Sequence, residues 1–123
     1  MEMSVEYAKD RKQFDRPIGA YQAVSHRCAQ MLLETENARA LVYNAAWALD
    51  HDASAAPLAC AMARAYASDA GVRCAEMASQ VHAGIGMTWE HDLHFYLKRA
   101  QFNAHVPDSP GASRAAVAQL VGL

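Results

Sequence analysis

At 123 residues, 53% hydrophobic and 20% charged, the chain has the length of one ordinary domain and a composition that is neither disordered nor membrane-spanning. No apolar run reaches bilayer length, Met1-Glu2-Met3-Ser4-Val5-Glu6 lacks the basic and apolar regions of a secretion signal, and a net charge of −2 with acids and bases interspersed offers no stripe for a nucleic-acid backbone. Neither nucleic acid nor membrane is an expected partner, and with Cys28, Cys60 and Cys74 odd in number and set inside helical patterns, a reducing cytoplasmic location is expected.

Strand signals are almost absent, and the period is helical throughout. The expectation is an all-α fold: an up-and-down bundle of four long or medium helices plus a short C-terminal one, with residues 1–123 as a single domain. The first helix runs from about Glu2 to Phe14, with an apolar side of only Met1, Val5 and Ala8, so it reads as the tail of a longer helix. Pro17 and Gly19 then break the chain. From Gln22 to Asp50, Val24, Cys28, Met31, Ala38, Val42, Ala45 and Leu49 recur at steps of four and three, with Thr35 filling the gap. That seam is roughly 42 Å long at about 1.5 Å per residue, and Arg27, Glu34 and Arg39 fall away from it.

A second row, Cys60, Ala63, Ala67, Ala70, Cys74, Met77 and Val81, marks a helix beginning near Pro57, a residue suited to a first turn. Its small side chains admit close backbones, which makes it the expected central helix, with Asp69 and Arg73 pairing on a wet face. Gln80-Val81-His82-Ala83-Gly84-Ile85-Gly86-Met87-Thr88 follows, a turn in which Gly84 and Gly86 allow positive φ and close approach of a ligand or partner. A fourth helix is expected to open at Thr88 as N-cap, bury Leu93, Leu97 and Ala100, and end before Pro107. Asp108 to Gly111 reads as a loop, and Ala112 to Leu123 as the last helix.

Arg11-Lys12-Gln13-Phe14-Asp15-Arg16-Pro17-Ile18-Gly19, followed by Tyr21-Gln22, resembles the Arg-x-Gln-Phe-Gly-x-Pro-Ile motif of flavin-dependent acyl-CoA dehydrogenases. The glycine turn is similar to that family's Gln-x-x-Gly-Gly-x-Gly-x-Thr, at the family's spacing, and Ala38-Arg39-Ala40-Leu41 and Ala61 to Ser68 match its intermediate helices. The resemblance covers essentially the whole chain and is to the C-terminal helical domain. It implies dimer and tetramer contacts, FAD shared with a neighbouring subunit, and an acyl-CoA substrate. Carried over position by position, the FAD-contact candidates are Arg11, Gln13, Phe14, Gln22, Gln80, Val81, Gly84 and Gly86. Arg11 supplies a cationic fork for a pyrophosphate and Phe14 an apolar plane. Each also has an ordinary reading: Arg11 as a solvated charge, Phe14 as a staple closing the bundle, Gln22 or Gln80 as a helix-end cap.

The sequence departs from that pattern in four ways. Asp15 stands where glycine is usual, and Ala83 replaces the first glycine of the pair, so ordinary dihedrals are expected there. The family's catalytic glutamate, counted back from Arg114, falls on Pro107, which cannot accept a proton; Asp108, one residue late and one methylene shorter, is the remaining candidate base and otherwise a turn residue. The run from Trp89 to Arg99 resembles a bacterial subgroup whose base lies elsewhere or on another subunit. The family's N-terminal helical and middle β-domains have no counterpart here, so the chain reads as a piece of such an enzyme or a small separate subunit, inactive alone.

Other chemistries are less supported. The six histidines include no Glu-x-x-His pair of the di-iron kind; His91 and His94 share a helix spacing that suits a metal, but solvated or capping roles suit them better. No nucleophile elbow, Cys-x-x-Cys or P-loop occurs, and Asp50-His51-Asp52 reads as a helix terminus. A non-catalytic helical dimerisation module is the alternative function, and either reading predicts self-association through exposed apolar area.

Overall fold

Five helices follow one another in the computed structural model, which describes residues 1–123: α1 (Glu2–Asp10), α2 (Gln22–His51), α3 (Ala56–His82), α4 (Leu93–His105) and α5 (Pro110–Leu120). The all-α expectation holds. α3 packs against each of the other four helices and is the central one, as its row of small residues requires. None of Cys60, Ala63, Ala67, Ala70, Cys74, Met77 or Val81 is exposed.

α2 and α3 form a long antiparallel pair. At its turn the Asp52 carboxylate accepts from the Ser54 hydroxyl at 2.6 Å and from the Ser54 and Ala55 amides at 3.1 Å, which holds its pKa below the ordinary range and closes the turn that leads into α3. Ala45, Ala48, Ala56, Ala59 and Ala63 make a thin core at this end, and Ala8, Met31, Ala78, Val81 and Leu93 a bulkier one at the other. The predicted α2 seam holds through Met31, Ala38 and Ala45, but Val42 and Leu49 are 46% and 63% exposed. A straight helix drifts about 20° per heptad against a strict 3.5-residue repeat, and by the last turns Ala48 has taken the inward place. Glu34, expected to face outward, is buried at 7% exposure because Arg73 of α3 reaches across to it.

Three boundaries also differ. α1 stops at Asp10, and the motif after it forms a small antiparallel hairpin, β1 (Lys12–Gln13) with β2 (Arg16–Pro17), Lys12 opposite Pro17 and Gln13 opposite Arg16. A 3₁₀ turn, Ala83–Met87, precedes α4, which begins at Leu93 rather than Thr88; the Thr88 hydroxyl donates back to the Ile85 carbonyl at 2.9 Å instead of capping. α5 begins at Pro110, with the Ser109 hydroxyl accepting from the Ala112 amide at 3.3 Å, a proline at the first position behind a serine cap. No helix is long and apolar enough to cross a membrane.

Candidate functional site

The two sequence motifs lie toward the same end of the bundle: Ile18 from the first packs on the core cluster that Val81 from the second forms with Ala8, Met31, Ala78 and Leu93. The hairpin projects from this end. Its two-residue turn, Phe14-Asp15, has φ of 52° and 61°, the left-handed pair that a tight β-turn with native twist requires. Aspartate tolerates this region, which explains Asp15 in a glycine position; phenylalanine does not, so Phe14 is strained. Tyr21, at the entry to α2, pins the loop: its hydroxyl donates to the Gln13 carbonyl at 3.1 Å and its ring lies 3.8 Å below the Arg16 guanidinium. The Phe14 ring is 89% exposed and staples nothing, while Arg11, Gln13, Gln22 and Gln80 also lie at the surface.

The glycine turn is built differently from the expectation. Ala83 takes φ 51° and ψ −134°, a conformation that favours glycine, whereas neither Gly84 nor Gly86 has positive φ. Ala83, in the first glycine position of the motif, carries the bend itself, in a conformation that strains alanine. Gly86 is buried, and a Cβ there would stand 2.9 Å from His82 Cβ, 3.1 Å from Leu93 Cδ2 and 3.4 Å from the Ser79 carbonyl. At Gly84 a Cβ would meet nothing within 4 Å, so its backbone is open to an approaching group. Val81, 3% exposed, belongs to the core. Of the eight candidates, Arg11, Gln13, Phe14, Gln22, Gln80 and Gly84 lie at the surface, and Val81 and Gly86 are buried.

The loop between α4 and α5 is held by one side chain that carried no role in the sequence reading. Arg64 Nη1 donates to the Asn103 carbonyl at 2.9 Å and to the Ser68 hydroxyl at 2.6 Å, and Nη2 to the carbonyls of Val106 and Asp108, both at 2.9 Å. Its signal was a lone cation within Ala61-Met62-Ala63-Arg64-Ala65. The Asp108 carboxylate is exposed in this loop beside Pro107. Between α1, α3 and α4 lies an open groove of about 790 Å³ whose floor includes Ala63, Ala67, Gly71 and Ala75. Ser4 lines it, 1% exposed, with its hydroxyl unpartnered.

The acyl-CoA dehydrogenase C-terminal domain family matches residues 1–106. The chain belongs to this family. It is 44% identical over 110 residues to acyl-CoA dehydrogenase IpdE2 of Mycobacterium tuberculosis, covering 89% of this chain and 33% of that protein. The crystal structure of an FAD-dependent dehydrogenase superposes with a TM-score of 0.95 at 31% identity, over 99% of this chain and 33% of that one. The ChsE4-ChsE5 complex from Mycobacterium tuberculosis superposes at 0.90 with 32% identity, over 98% and 32% respectively. The chain therefore spans about a third of the length of these family relatives.

Proposed function

We propose that the chain contributes the adenosine and pyrophosphate contacts to an FAD seated chiefly in a partner subunit, within a cytoplasmic acyl-CoA dehydrogenase that introduces an α,β double bond into an acyl-CoA thioester of lipid metabolism. The observation that carries this is the hairpin: a strained turn, pinned by Tyr21, holds an unshielded aromatic ring and the Arg11 and Gln13 side chains at the surface. A fold retains such strain where its surroundings over-determine it, which is most common at sites of contact.

The residues present fit the cofactor. Arg11 offers a fork matched to phosphate oxygens, Gln13, Gln22 and Gln80 offer amides, and open space above Gly84 lets backbone approach a ligand. FAD, when bound, supplies the acceptor for the substrate's hydride. This chain's residues orient the dinucleotide and shield it; Pro107, in the family's base position, moves no proton, and Asp108 is one residue out of register. The chain alone is therefore inactive. The groove with its unpartnered Ser4 hydroxyl suits a helix from the flavin-bearing partner, in a homo-oligomer or heteromer. The ChsE4-ChsE5 likeness supports a multi-subunit arrangement.

A helical dimerisation module without a ligand is the second reading, favoured by the exposed Leu33, Tyr43 and Trp47 along α2. Thermal unfolding with increasing FAD separates the two, since a ligand that binds only the folded state raises its stability. A rising midpoint supports the flavin role, and a flat one leaves the module.

A further inference from the structure

His82 is the last residue of α3, 1% exposed, and one of its ring nitrogens has no partner. Nδ1 lies 2.9 Å from the Ala78 carbonyl, which only accepts, so the proton of the neutral ring sits on Nδ1 and Nε2 carries a bare lone pair in the interior. Tyr7 of α1 stacks on the ring at 4.5 Å and 22°, and His91, in the turn before α4, lies tilted at 4.7 Å and 55°. The Leu93 amide donates to His91 Nδ1 at 3.1 Å, which places the proton of a neutral His91 on its own Nε2. A proton added to His82 Nε2 would find no hydrogen-bond acceptor.

We propose that His82 is a proton-operated latch on the glycine turn: neutral, it holds Ala83–Met87 closed against α3 and α4, and on protonation it leaves its place and the turn opens. The linkage is geometric. His82 directly precedes the bend at Ala83, and the turn folds back so closely on the residue that carries the ring that a Cβ on Gly86 would stand 2.9 Å from His82 Cβ. The titratable groups facing it are Tyr7 from α1, the N-terminal ammonium and His91. Burial disfavours the cation most, and His91 and the ammonium act in the same direction, outweighing the bond to Ala78, so the pKa lies below the ordinary histidine value. The latch opens on acidification. That opening weakens FAD binding is the part that rests on the proposed dinucleotide role; the opening itself does not.

The test uses the full chain, following histidine ring signals by NMR and amide exchange of residues 83–93 between about pH 7.5 and about pH 5, corrected for intrinsic rates. The latch predicts that His82 titrates below a free histidine, that these amides exchange about tenfold faster in acid, and that His82→Phe, which keeps a stacking ring without nitrogens, removes the acid response while His91→Asn retains it. Should the phenylalanine variant not fold, the wild-type titration decides: a His82 that protonates at the ordinary value with no change in exchange overturns the proposal. Acid opening with FAD affinity absent or indifferent to pH leaves the latch standing and removes the dinucleotide role. Flat exchange removes the latch whatever FAD does.

Discussion

Glu34 of α2 and Arg73 of α3 meet as a two-point ion pair across the helix interface, Arg73 Nε standing 3.2 Å from Oε1 and Nη2 2.7 Å from Oε2. Gln30 adds a hydrogen bond at 3.2 Å to the same carboxylate, and Asp69 links Arg73 to Arg114 of α5, so one polar network spans three helices. Arg73 hydrogen bonds to the ionised carboxylate, which lowers the Glu34 pKa despite its burial. A carboxylate whose folded pKa is depressed contributes stability above the unfolded value and loses it as pH falls through the folded one. Glu34→Gln is therefore expected to lower stability at neutral pH by about 1–3 kcal/mol, toward the low end because 43% of the Arg73 side chain stays exposed, and to flatten the acid limb below the ordinary carboxylate range. Urea unfolding at a series of pH values measures both.

Ala83→Gly should stabilise the chain by about 1 kcal/mol in urea unfolding, because the native φ of 51° strains alanine and not glycine. A loss of stability would mean that the bend is not strained.

The two glycines of the turn should behave oppositely. Gly86→Ala drives a Cβ into His82 Cβ and Leu93, with an expected cost of about 1–3 kcal/mol, whereas Gly84→Ala meets open space and should leave the unfolding midpoint nearly unchanged. If the backbone at Gly84 faces the dinucleotide, the same silent substitution weakens FAD binding, a readout that thermal unfolding with and without FAD provides.

Arg64→Ala removes donors to carbonyls at the end of α4 and in the following loop, and about 2–3 kcal/mol of stability should go with them. Arg64→Lys restores only part, since an ammonium cannot reach in the two directions a planar guanidinium serves. Hydrogen exchange confined to the residues from Asn103 to Asp108 is the local measure.

The helices were legible because period and small-residue spacing are local signals: the rows from Val24 to Ala45 and from Cys60 to Val81 mark α2 and α3 without reference to anything distant. The misplaced boundaries fall where a partner from elsewhere in the chain decides the conformation. Phe14 is left-handed because Arg11 and Ile18 pair their backbones at 2.8 Å and Tyr21 holds Gln13 from behind, none of which a helical window contains. Thr88 has the chemistry of an N-cap, but the turn at Ala83–Met87 supplies its partner first. Glu34 reads as an outward charge until Arg73, 39 residues on, is brought beside it. The rim residues became visible through family resemblance, and the supports, Arg64 and His82, through coordinates alone.

Equilibrium dialysis of FAD against the wild-type chain and an Arg11→Ala, Gln80→Ala double variant puts the dinucleotide role to its most direct trial. Both side chains lie at the surface, so the variant should fold as the wild type does. The account predicts saturable FAD binding by the wild type and at least about tenfold weaker binding by the variant, the loss of roughly 1.4 kcal/mol or more of contact free energy. FAD that binds both proteins equally would contradict it.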